Sequence, residues 1–129
     1  MDKERLIATG GCILDSAITV HRELGPGLLE SAYEIALTTE LRSRRLKVEK
    51  QVPVELIYKQ APLGKTYVID LLVENEIIIE VKSVDSLNPI HDAQLITYLK
   101  LYNKNLGYLI NFNVPLLKDG FKRIVWNFH

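Results

Sequence analysis

The stretch Ile69-Asp70-Leu71-Leu72-Val73-Glu74-Asn75-Glu76-Ile77-Ile78-Ile79-Glu80-Val81-Lys82 constrains this chain more than any other part of it. It reads as two apolar strands joined by a polar turn, with one carboxylate in each strand. Burying a lone carboxylate costs several kcal/mol or a large pKa shift. A sequence that places an acid in each strand must therefore pair the charges or hold a cation. Glu80 and Lys82 stand two apart on one strand, so they project from the same face.

Register decides whether the acids meet. Residues directly opposite one another in an antiparallel pair share a face. With Glu74-Asn75-Glu76 as the loop, Val73 faces Ile77 and Asp70 faces Glu80. With Glu74-Asn75 alone, Asp70 would face Ile79 and the acids would lie on opposite sides of the sheet. A catalytic reading therefore predicts a three-residue connection or an equivalent bulge. An Asp, a Glu and a Lys converging there suit metal-assisted phosphodiester hydrolysis. Mg²⁺ prefers hard oxygen ligands. It polarises a scissile phosphate and lowers the pKa of a bound water. A lysine alongside can orient the attacking water or stabilise developing charge. Spacing alone fits a buried ion pair without chemistry equally well.

The remaining elements follow from periodicity. Residues 4–23 read as a helix, with Leu6, Ile7, Ile13, Leu14, Ala17, Ile18 and Val20 at three- and four-residue spacing. Gly10-Gly11 weakens its start, and Gly25-Pro26-Gly27 breaks the chain after it. A second helix is predicted over 28–45, with Leu29, Ala32, Tyr33, Ala36, Leu37 and Leu41 as its buried stripe. Strands follow from Val48, over 66–73 and over 77–84, with Ala61-Pro62-Leu63-Gly64 read as a turn. Ile77-Ile78-Ile79 suggests burial on both faces. Asn88 and Pro89 open a third helix that runs to about Tyr102. Strands over 106–112 and 121–126 close the chain, the last at an edge. The order α-α-β-β-β-α-β-β predicts one α/β domain over 1–129, with a mixed sheet of about five strands flanked by helices.

Composition bounds the function. Apolar residues make up 47% of the 129, enough for a core without staples. The single cysteine, Cys12, excludes an internal disulfide and reads as a buried residue of the first helix. The N-terminal stretch carries Asp2, Glu4 and Asp15 and does not read as a signal peptide. No apolar run approaches a membrane span. The expectation is a cytoplasmic protein without a membrane partner. Sixteen basic residues balance sixteen acidic ones, so there is no global pull on a polyanion. Arg42, Arg44, Arg45 and Lys47 form the densest basic cluster. They suit the end of a helix dipole and are the weak candidates for nucleic-acid contact. His21 is expected to cap the last carbonyls of the first helix. No Cys/His spacing suggests zinc.

Asp70 followed by Glu80-Val81-Lys82 resembles the metal-binding motif of the PD-(D/E)XK nuclease superfamily. The stretch from Val20 to Glu34 looks like the signature of the GxxExxY protein family, with Gly27, Glu30 and Tyr33 at the named positions. The segments Asp70–Lys82 and Gln94–Tyr98 look like that family too. The resemblance runs from about Leu6 to Val125. It implies a restriction-endonuclease-like core and a Mg²⁺-dependent nuclease, with Mn²⁺ able to substitute, acting on DNA before RNA. Asp70 and Glu80 would be metal ligands, Lys82 the catalytic lysine and Glu30 an added acidic ligand or water-positioning group. Gln94 would be a supporting polar residue of the catalytic set, with Tyr98 one turn further along the same face. The family's basic residue shortly before the aspartate is missing, since Tyr67-Val68-Ile69 stands there. The alternative is a catalytically silent nucleic-acid-binding or regulatory module on the same fold. A partner-binding protein is the third reading, with the 121–126 edge strand pairing in a homodimer.

Overall fold

A computed structural model describes residues 1–64 and 67–129 in full, and the backbone alone at positions 65 and 66. Its elements are α1 (Lys3–Leu24), α2 (Glu30–Ser43), β1 (Val48–Tyr58), β2 (Ala61–Val73), β3 (Ile77–Lys82), α3 (Pro89–Tyr102), β4 (Leu106–Asn111), a 3-10 turn (Leu117–Gly120) and β5 (Phe121–Val125). The strands form one sheet in the order β1-β2-β3-β4-β5. Every neighbouring pair is antiparallel except β3 and β4. These two run parallel because α3 crosses between them, as parallel neighbours require. The expected fold class and element order hold, and β5 lies at an edge.

Two apolar layers sandwich the sheet. On one face Ile77, Ile79, Val81, Ile110 and Phe112 pack against Ile13, Ala17, Tyr33 and Leu37 of α1 and α2. On the other, Ile78, Leu109 and Ile69 pack against Leu95, Tyr98 and Leu99 of α3. Ile77, Ile78 and Ile79 are all fully buried, as the unbroken apolar run predicts. The Asp2 side chain caps α1 by accepting from the Arg5 N–H at 2.8 Å. Asn88 and His91 cap α3 reciprocally, Asn88 Oδ1 accepting from Ile90 N–H at 2.9 Å and His91 Nδ1 from Asn88 N–H at 3.2 Å.

Several expectations are corrected. The hairpin turn between β1 and β2 falls at Lys59-Gln60, with φ 50 and 67, while Ala61 and Pro62 already pair with Tyr58 and Ile57. Pro62 and Gly64 mark an irregularity inside β2 instead. The register shifts between Glu55 and Ile57 on the facing strand, and Gly64 takes φ 70. Leu29, expected in the buried stripe of the second helix, is exposed, and so is Ile7 of the first-helix pattern. Leu29 precedes the helix in an extended conformation, because α2 begins at Glu30. Cys12 is half-buried. His21 does not cap its own helix. Its Nε2 meets the Val114 carbonyl at 2.7 Å, while the Gly25 N–H takes the His21 carbonyl at 2.8 Å.

The adjacent Gly10 and Gly11 make opposite predictions. A Cβ on Gly10 would lie 2.0 Å from the Tyr108 hydroxyl of β4, whereas one on Gly11 meets nothing within 4 Å. Gly10→Ala should destabilise by about 2 kcal/mol through overpacking. Gly11→Ala should stabilise by about 1 kcal/mol through helix propensity. Urea unfolding of both variants checks this. Equal effects would refute the close approach of α1 to β4.

Candidate functional site

The β2–β3 connection has the three-residue form on which the meeting of the two acids depends. Val73 pairs with Ile77, Leu72 with Ile78 and Leu71 with Ile79. Glu74 and Asn75 take φ 52 and 56, and the Glu76 N–H donates to the Val73 carbonyl at 3.0 Å. Beyond Leu71–Ile79 the next rung is Asp70–Glu80, and here side chains replace the backbone ladder. The Asp70 N–H donates to Glu80 Oε2 at 2.8 Å, and the Val81 N–H donates to Asp70 Oδ2 at 2.7 Å. Each acid thus clasps the backbone of the opposite strand, which fixes both carboxylates in one place.

Glu80 is only 4% exposed. Burial is the main cause that pushes its carboxyl up, to about 8, with the Asp70 charge next. Burial also raises Asp70, to about 6, against the lowering effect of the Val81 N–H. Lys82 favours the ionised form of both acids, while Glu30 and Glu34 of α2 add to the strain on Asp70. Tyr98 of α3 is pushed up to about 12, first by burial and then by the Glu80 and Asp70 charges, with the Gln94 amide partly offsetting this. A buried and a half-buried acid beside further acids and one lysine are short of positive charge. One oxygen of each acid is taken by a backbone N–H, and the described residues offer the other oxygen no hydrogen bond. Such a pair of hard oxygen donors fits Mg²⁺ or Mn²⁺. Among the described residues no group of three or more His, Cys, Asp or Glu side chains converges as a complete cage. That suits a cation that keeps several of its own waters.

The other predicted residues fall into place unevenly. Lys82 ends β3, half-buried and on the Glu80 face. Glu30 lies in the first turn of α2, and its Oε2 accepts from the Ser83 N–H at 3.2 Å, directly after Lys82. The motif around it has a mechanical basis. The buried Tyr33 ring stacks on Phe112 at 4.5 Å. Its hydroxyl donates to the Gly25 carbonyl at 2.5 Å and accepts from the Leu28 N–H at 3.1 Å. Tyr33 therefore ties down the loop that delivers Glu30. A cleft of about 400 Å³ lined by Leu28, Leu29, Glu30, Ser31 and Ser83 opens at this rim. Gln94 sits on α3, partly buried, one turn before Tyr98.

The basic cluster stands apart. Fourteen residues of helix separate Glu30 from Arg44, roughly 21 Å at the α-helical rise. Arg44 is paired with Asp15 and Glu40. Arg42 donates to the Val48 carbonyl at 2.7 Å. Arg45 and Lys47 are exposed.

Three residues escape the sequence reading. Glu34 is one helical turn after Glu30, a spacing that could have revealed it. Gln51, on β1, donates from Nε2 to Glu34 Oε1 at 2.7 Å. It holds φ 53, a strained backbone that costs a non-glycine residue of order 1–3 kcal/mol. Asn111 pairs with Lys82 across the parallel strands. Its amide accepts from the Val84 N–H at 3.1 Å and donates to the Val84 carbonyl at 2.9 Å. This pins the segment that follows Lys82.

Among the described residues no helix is long and apolar enough to cross a membrane. No curated protein and no solved structure gives a match to this sequence. The family model of the PD-(D/E)XK nuclease superfamily matches residues 8–124, nearly the whole chain. This chain belongs to the PD-(D/E)XK nuclease superfamily.

Proposed function

We propose that this protein is a Mg²⁺-dependent nuclease of the GxxExxY group, able to use Mn²⁺, that hydrolyses phosphodiester bonds in DNA before RNA. The observation that carries this reading is the reciprocal clasp of the half-buried Asp70 and the buried Glu80, held side by side without enough positive charge. Asp70 and Glu80 would hold the cation. When bound, it supplies Lewis acidity towards the phosphate and lowers the pKa of water. Lys82 presents an ammonium group on the same face, suited to orient the attacking water and to balance charge developing on the phosphate oxygens. Glu30 holds Ser83 and so steadies the strand end beside Lys82, while adding acidic charge at the rim. Gln94, one turn before Tyr98 on α3, would support the site from that helix, and its amide partly offsets the rise that burial and the acids impose on Tyr98.

One observation favours the alternative of a silent nucleic-acid-binding module. The chain is neutral overall, and Arg42 and Arg44 are already engaged within the protein. Phosphate contacts would then fall to few residues, Arg45 and Lys47 among them. Cleavage assays separate the two readings. Purified protein should cut DNA with Mg²⁺ or Mn²⁺ and stop on chelation. Asp70→Ala and Glu80→Ala should abolish cutting, and Lys82→Ala should slow it by about 10²–10³-fold. Salt-sensitive binding with no cleavage of single strands, duplexes, branched DNA or RNA would instead establish the silent module.

The raised carboxyls also fix a pH trend for the metal-free protein. Ordinary Asp and Glu titrate near 4, whereas the folded pair titrates at about 6 and about 8. Between these limits the folded state binds more protons than the unfolded chain, so stability falls as pH rises through that window. With chelator present, Tm should drop by about 5 °C or more from pH 5 to pH 8. Glu80→Gln should flatten that slope, and millimolar Mn²⁺ should restore Tm most at pH 8. A wild-type Tm that rises over the same range would contradict the buried acidic pair.

A further inference from the structure

We propose that Gln51 is a positioning residue that aims Glu34 at the Asp70–Glu80 pair, making Glu34 a further working carboxylate that strengthens divalent-cation binding there. This rests on the metal-dependent reading above and extends it to two residues outside the sequence motif.

The backbone supplies the first argument. Lys50 pairs with Leu71 and Val52 with Ile69, but the rung between them, Gln51–Asp70, is absent from the β1–β2 ladder. Gln51 has φ 53 at that position, while strand residues normally stay extended. The hairpin turns over at this point. Inboard of it Val48, Leu71 and Val73 pack in the α1–α2 layer, whereas outboard Val54 and Ile69 pack in the α3 layer. Plain alternation would have kept Ile69 and Leu71 on one face. The kink frees Gln51 from the ladder beside Asp70, and its amide reaches Glu34 Oε1 at 2.7 Å.

The choice of side chain supplies the second. An amide orients a carboxylate without cancelling its charge, which a lysine or arginine would do. Among the described residues Glu34 takes part in no salt bridge. The amide that holds it stands at the rung facing Asp70, so the uncancelled Glu34 charge is kept beside that strand position. Glu30, one turn earlier, is spent on the Ser83 N–H. The described residues form no three-acid cage, so Glu34 acts from outside direct contact, as outer carboxylates of metal sites do.

Calorimetric titration of the full chain with Mn²⁺ tests this, with melting curves as the fold control. Glu34→Gln should weaken binding about tenfold, and more than Glu30→Gln. Gln51→Gly should weaken it several-fold while leaving Tm unchanged or higher, because glycine accepts φ 53 without strain. A merely structural Gln51 would move Tm and affinity together. Gln51→Lys should weaken binding further by neutralising Glu34. Wild-type affinity in Glu34→Gln, or in Gln51→Gly, overturns this inference and leaves the metal-dependent reading standing. Absence of Mn²⁺ binding by the wild type overturns both.

Discussion

The clasp between Asp70 and Glu80 is the interaction on which the rest of the structure depends. At this rung of the β2–β3 ladder, carboxylates stand in for backbone carbonyls. Backbone N–H groups that would otherwise be orphaned are satisfied. The same substitution brings two acids together in a largely buried place, where like charges and low polarity both resist ionisation. Hydrogen bonding and electrostatics therefore pull against each other at one point. A structural pair would be better served by an acid and a base. The chain instead keeps two acids and places its lysine to one side.

The surrounding fold keeps that arrangement from relaxing. β3 is buried on both faces and bonded on both edges, so Glu80 and Lys82 cannot shift register. Asn111 grips the Val84 backbone where the chain leaves β3. Tyr33 stacks on Phe112 and holds both sides of the Gly25–Leu28 turn. That turn sets where α2 begins, and with it where Glu30 and Glu34 lie. Rigid strands and a tied loop thus present the acidic side chains at a defined position, which is what preorganised sites require.

Much of this was legible in the sequence because it rests on short-range rules. Parity across a three-residue turn is enough to bring Asp70 opposite Glu80. Asn88-Pro89 marks the start of α3 through capping chemistry alone. Where the reading failed, the deciding partner lay far along the chain or the backbone broke a local rule. The Lys59-Gln60 turn uses left-handed residues without the glycine that usually signals one, so the neighbouring Pro62 and Gly64 drew the assignment instead. Arg44 looked available because Asp15 is 29 positions away. His21 finds its partner at Val114, across the molecule. The kink at Gln51 has no sequence signal, since glutamine does not favour φ 53 and nothing local compels it.

The chain belongs to the PD-(D/E)XK nuclease superfamily, and the clasp is where we propose that its chemistry occurs. The most direct test is the anomalous diffraction of a crystal of this protein soaked in Mn²⁺. The account predicts one strong peak shared by a carboxylate oxygen of Asp70 and one of Glu80, each at about 2.1 Å. A peak elsewhere, or no peak with both acids still clasping the opposite strand's backbone, would contradict it.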